Sequence, residues 1–214
     1  MGDLVGMKRV DKNNVVAETG SVYFDPQRAA EDDAQLINLV QMGDGAGACV
    51  VSSARTASTA QSGFGGQISN VFYGCAGLDR RPGICLTSGG SERAPTPGTR
   101  AEFAHDYASI RREGRSLFHH ALAEALNAGI DTVSIDYFIP HQANGQMANL
   151  LARELAIPSE RVFVNADRVG NTGSAAIWLA LSELRALLPP RQRVCALGAE
   201  ASKFMFGGFL YVHG

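Results

Sequence analysis

His141 and Asn171 are the two residues of this sequence whose types and settings suit chemistry on an oxygen atom. Each is a neutral side chain able to donate a hydrogen bond. Each also stands between a strand-like run and a helical one. Val133-Ser134-Ile135-Asp136-Tyr137-Phe138-Ile139 leads into Pro140-His141, and Met147, Leu150, Leu151 and Leu155 beyond it share one helical face. Arg161 to Asn165 reads as a second strand, after which Gly170-Asn171-Thr172-Gly173-Ser174 opens a helix running to about Leu188. In α/β sheets, strand exits of this kind line the crevice where ligands bind. A His and an Asn from adjacent exits could converge on one oxygen as donors. Taken singly, each has a plainer reading: a satisfied core histidine and a helix cap. Pro140 has no N–H, so it suits the end of a strand and biases Ile139 to an extended conformation.

The elements that must position this pair sit in an ordinary globular composition. The chain has 214 residues, 45% hydrophobic and 19% charged, with a formal net charge of -2, which allows one or two domains. No basic excess points to nucleic acid. Met1 to Asn14 carries Asp3, Lys8, Arg9, Asp11 and Lys12 without an apolar centre, so it does not read as a signal peptide. No apolar run approaches the ~18 residues of a membrane span. Cys49, Cys75, Cys85 and Cys195 lack metal-like spacing. They are expected to be reduced, buried thiols of a cytoplasmic protein.

Strands are expected at Val15–Phe24, Ala46–Ser52, Gln67–Gly74, Gly83–Thr87, Val194–Leu197 and Phe209–Val212. Ala101 to Arg112 reads as a polar helix, with His105 on its surface. Gly114 to Ala128 reads as an amphipathic helix burying Leu117, Phe118, Ala121, Leu122, Ala125 and Leu126, stopped by Asn127-Ala128-Gly129. Ser174 to Leu188 is apolar nearly all round at first and is expected to be a central buried helix, ended by Pro189-Pro190. The alternation of strands and helices argues an α/β fold.

Pro140-His141-Gln142-Ala143-Asn144, followed later by Gly170-Asn171-Thr172, resembles the β-ketoacyl-[acyl carrier protein] synthase III family. Gly43-Asp44-Gly45-Ala46-Gly47-Ala48 resembles that family's turn into the last strand of its first half. Gly114-Arg115 with Phe118 resembles the start of its long helix, and Phe206-Gly207-Gly208-Phe209-Leu210 its closing strand. The resemblance implies a thiolase-like layered α/β fold, with the C-terminal half complete and the N-terminal half reduced to its last strands. It divides the chain into residues 1–54, a remnant of the first half, and 55–214, the second half. It implies decarboxylative Claisen condensation of an acyl thioester with a malonyl thioester. His141 and Asn171 would be catalytic, stabilising the enolate. Asn144, Ser202 and Phe204 would bind substrate. Coenzyme A or acyl carrier protein thioesters would be the substrates, with no metal or redox cofactor. A homo- or heterodimer is expected, with no nucleic acid and no membrane partner.

In the family, a cysteine nucleophile lies upstream of the strand that Val15–Phe24 matches, and Met1 to Asn14 contains none. The chain is therefore expected to be a fragment, or one subunit completed by a second chain that carries the cysteine. Two departures alter the site. Gln146 stands where the family commonly has arginine, and Glu200-Ala201-Ser202-Lys203-Phe204-Met205-Phe206 replaces a glycine-rich turn. A backbone N–H near Ser202 would still line an oxyanion site. The rival readings are a non-catalytic acyl-thioester-binding partner and a truncated product without function.

Overall fold

A computed structural model describes residues 45–47, 49, 66–86 and 103–214, with Leu86 and Phe103 in backbone only. The expected strand Val15–Phe24, Asp44, most of the Ala46–Ser52 strand and the division at residues 54 and 55 lie outside the described residues.

Among the described residues, the strands are β1 (Gly66–Cys75), β2 (Ile84–Leu86), β3 (Phe103–His105), β4 (Tyr137–Pro140), β5 (Arg193–Glu200) and β6 (Met205–His213). The helices are α1 (Tyr107–Asn127), α2 (Met147–Leu155), α3 (Ala166–Val169) and α4 (Ala176–Arg185). The main sheet has the order β1-β6-β5-β4, and β2 pairs with β3 in a separate two-stranded ribbon. β4 runs parallel to β5, whereas β6 is antiparallel to both β5 and β1.

Side chains alternate across a strand, so each face of this sheet carries its own core. Phe138, Cys195 and Leu197 pack with Phe118, Ala121 and Ala125 of α1 and Met147 and Leu151 of α2. Ile139, Val194 and Tyr211 pack with Ala180, Leu181 and Leu184 of α4 on the opposite face. The result is a helix–sheet–helix sandwich with β5 at its centre, where Val194, Cys195, Ala196 and Leu197 are all buried.

Several expected elements fold differently. The two helices expected on either side of Glu113 are one. Asp106 caps its start by accepting the Ser109 N–H at 3.0 Å, and an interior glycine at Gly114 costs only about 1 kcal/mol. Gly129, at φ +82, ends it as expected. Leu126 is exposed, because it lies about 100° round the helix from Ala125 on the buried stripe. His105 is not a surface residue of a helix; it is half-buried in β3. Burial, only partly opposed by the charge of Asp106, lowers its pKa to about 4.

The strand expected from Val133 begins only at Tyr137. Asp131 turns the preceding residues into a 3₁₀ helix, Thr132–Ser134, by accepting the Val133 N–H at 3.1 Å. Arg161 to Asn165 is not a strand either: Ser159–Arg161 is a 3₁₀ turn, and only Val162 bridges to Phe138. Among the cysteines only Cys195 is buried, whereas Cys75 and Cys85 are half-buried and Cys49 is exposed.

Candidate active site

β4 ends at Pro140, but its pairing continues one residue further: the His141 N–H donates to the Leu197 carbonyl at 2.8 Å. Alternation from Ile139, which faces α4, places His141 on the same side of the sheet. The residue is half-buried. Desolvation lowers its pKa below the ordinary 6.5, and the negative charge of Glu200 opposes that shift without cancelling it. His141 is therefore a neutral imidazole at pH 7. Among the described residues its ring nitrogens make no hydrogen bond.

Asn171 lies in the short connection between α3 and the 3₁₀ turn Gly173–Ala175, which runs into α4. The expected single helix from Gly170 is thus a loop, a turn and then α4. Gly170 and Gly173 bracket Asn171-Thr172 with positive φ of 73° and 62°, a conformation costly for residues with a Cβ. The Asn171 Oδ1 accepts the Gly173 N–H at 3.0 Å. That bond engages the amide oxygen and leaves the NH₂ as the donor of the side chain. The start of α4 overlies the end of β5, since a Cβ on Gly198 would stand 3.7 Å from Ile177 Cδ1. His141 and the loop of Asn171 therefore share one end and one face of the sheet. Gly45 and Gly47 meet the same place: a Cβ on Gly45 would come 2.9 Å from Thr172 Cγ2, and one on Gly47 2.7 Å from Trp178 Cβ.

The turn between β5 and β6 holds Ser202 and Phe204. The Ser202 N–H donates to Glu200 Oε1 at 2.9 Å, and its hydroxyl donates to the other carboxylate oxygen. The backbone N–H expected to line an oxyanion site is thus engaged by Glu200. Phe204 is 2% exposed, at φ +51, under the 76–83 loop, which is tied to this turn by Ala76 N–H to Phe204 O at 2.9 Å and Gly83 N–H to Ala201 O at 3.1 Å. Asn144 is exposed, and its Oδ1 accepts the Gln146 N–H at 2.8 Å. Gln146, at the start of α2, accepts from Asn149 Nδ2 at 2.8 Å. That rim carries amides where an arginine would bring charge. Among the described residues no group of three His, Cys, Asp or Glu could hold a metal ion, and no helix is long and apolar enough to cross a membrane.

Sequence reasoning gave no role to Gln142, which is fully buried. Its Nε2 donates to Pro140 O at 2.8 Å and to Phe163 O at 3.2 Å, and its Oε1 accepts the Asn165 N–H at 2.9 Å. The side-chain amide stands in for a strand beside residues 163–165, which explains why that segment needs no ladder of its own. Its one sequence signal is a polar residue two positions past a buried strand, and such a residue reads equally well as solvent-facing.

Residues 126–208, which include both His141 and Asn171, match the family model described as 3-oxoacyl-[acyl-carrier-protein] synthase III C terminal. The β-ketoacyl-[acyl-carrier-protein] synthase III of Nitratidesulfovibrio vulgaris is 32% identical over 181 residues, covering 80% of this chain and 51% of that protein. The enzyme of the same name from Chlamydia caviae is 32% identical over 153 residues, covering 68% of this chain and 42% of that protein. A solved tetronic acid condensing enzyme superposes with a TM-score of 0.59 at 28% identity, covering 69% of this chain and 45% of its own. The chain spans about half the length of the curated relatives it matches. The sheet and its two helical layers are thiolase-like, and in its C-terminal part this chain belongs to the β-ketoacyl-[acyl carrier protein] synthase III family of condensing enzymes.

Proposed function

We propose that this chain supplies the enolate-stabilising donors of a β-ketoacyl-[acyl carrier protein] synthase III-type acyltransferase. The observation that carries the reading is the presence of two neutral donors, His141 and Asn171, at one end and one face of the sheet within the family-matched region. In the proposed reaction, a cysteine thiolate takes an acyl group from its coenzyme A or carrier thioester and releases that thiol. A malonyl thioester then loses carbon dioxide, and the electron pair of the broken C–C bond becomes an enolate. The enolate carbon attacks the acyl-enzyme carbonyl and expels the cysteine thiolate, giving a 3-oxoacyl thioester. The enolate oxygen is where His141 and Asn171 would donate. A neutral imidazole suits this, and burial favours that state at His141.

Cys195 is not the thiol in this scheme. Burial pushes its pKa up to about 12, so almost no thiolate exists at neutral pH. The nucleophile would be a cysteine borne by the part of the family fold that this chain does not match. The test is to reconstitute the chain with the cysteine-bearing N-terminal part of a family member and measure 3-oxoacyl thioester formation. His141→Ala and Asn171→Ala should each slow condensation ~100-fold, the usual cost of losing one oxyanion donor, about 3 kcal/mol. Unchanged rates in both variants would overturn the reading.

A second reading, an acyl-thioester-binding partner without catalysis, is favoured by one observation: Glu200 already takes the Ser202 N–H. Loss of 3-oxoacyl thioester formation in His141→Ala, with acyl-coenzyme A binding by the reconstituted protein retained, would exclude it.

A further inference from the structure

We infer that Gln142 is the positioning residue of this site, fixing His141 relative to the loop that carries Asn171. The inference rests on the reading of those two residues as donors. Its basis is the chemistry of a buried amide. Two backbone carbonyls, Pro140 O and Phe163 O, face one end of the Gln142 side chain, and a backbone N–H, that of Asn165, faces the other. Two carbonyls require an NH₂, and an N–H requires an oxygen. The amide therefore has one allowed orientation. A carboxylate in its place would turn an anion onto two carbonyl oxygens, so glutamate is not an equivalent.

The bonds join two exits. Pro140 immediately precedes His141, and Phe163 and Asn165 precede α3 and the Asn171 loop. From Asn165 the connection runs on: its Nδ2 donates to Glu183 Oε2 at 3.1 Å. The other Glu183 oxygen accepts from Arg168 at the end of α3. Burial works against the charge of Glu183, but the bonds from Asn165 and Arg168 outweigh it and hold its carboxyl below the ordinary range. The Asn171 loop is thus slung between α3 and α4, which Glu183 of α4 ties together, with Gln142 fastening its upstream end to the His141 exit. Backbone groups buried there have no strand partner, so removal of the amide leaves them unpaired and the two exits free to separate.

The experiment uses the full chain, isotope-labelled, with the His141 imidazole and the Asn171 side-chain amide followed by NMR. The variants are Gln142→Ala and Gln142→Met, the latter keeping most of the volume while removing all three bonds. The control is Leu184→Ala, which cuts the core on the α4 face but takes no part in the Gln142 bonds. Both Gln142 variants should move the Asn171 amide signals and raise the His141 titration midpoint by about half a unit or more as the ring gains water. Leu184→Ala should lower Tm and leave both signals in place. If Gln142→Ala does not fold, Gln142→Met carries the test. A Gln142 variant that lowers Tm as the control does, with His141 and Asn171 signals at wild-type positions, overturns the inference. The readout is the two side chains themselves. The donor reading can therefore fail in the activity assay while this coupling stands, and the reverse also holds.

Discussion

His141 and His105 both have pKa values lowered by burial, and the sign of that shift fixes an acid sensitivity. A histidine whose folded value lies below its unfolded one, about 6.5, binds fewer protons when folded. Stability then rises with pH through the window between the two values. For His105 that window runs from about 4 to 6.5. His141 acts in the same direction just below 6.5. At lower pH still, Asp106, held down by the Ser109 bonds, and Glu113, held down by Arg80 and Arg112, add to the loss as they protonate. Tm measured by circular dichroism should therefore fall as pH drops from about 6.5 to about 4, and His105→Gln should flatten part of that slope. A Tm that rises on acidification over this range would show that burial does not control these rings.

Among the elements, β6 is the most constrained, because it is squeezed between β1 and β5. A Cβ on Gly208 would stand 1.9 Å from the Ala196 carbonyl oxygen, and one on Gly207 2.8 Å from that of Phe72. Those neighbours are backbone, which cannot rotate away. Gly208→Ala should destabilise the chain by at least the ~1–3 kcal/mol typical of overpacking, read as a lower midpoint in urea. An unchanged midpoint would mean that β6 does not approach β5 this closely. β5 is where the consequence reaches the site, since Leu197 holds the His141 backbone and the charge of Glu200 acts on its ring.

For the whole molecule, Cys195 reports on the integrity of the sandwich. It is fully buried in the central strand, and burial raises its pKa to about 12. Cys49 is exposed. Iodoacetamide at pH 8 should therefore alkylate Cys49 in the native protein and Cys195 only after global unfolding, as located by peptide mass spectrometry. Early labelling of Cys195 would show that the layers open without unfolding. At this scale the division between sequence and tertiary structure becomes clear. Local rules written in the chain were enough for α2, for the Gly129 stop of α1, for β1, β5 and β6, and for the His141 and Asn171 motifs within the family-matched region. Periodicity, turn chemistry and short spacings are all properties of neighbouring residues. The Arg161–Asn165 segment has the pattern of a strand, yet its partner is a side chain, Gln142, 23 residues upstream of Asn165. The engagement of Ser202 by Glu200 likewise depended on how the turn closes between β5 and β6. Whether a polar group meets water, a backbone carbonyl or a carboxylate is decided only when distant segments are brought together, and burial then sets both its partner and its charge.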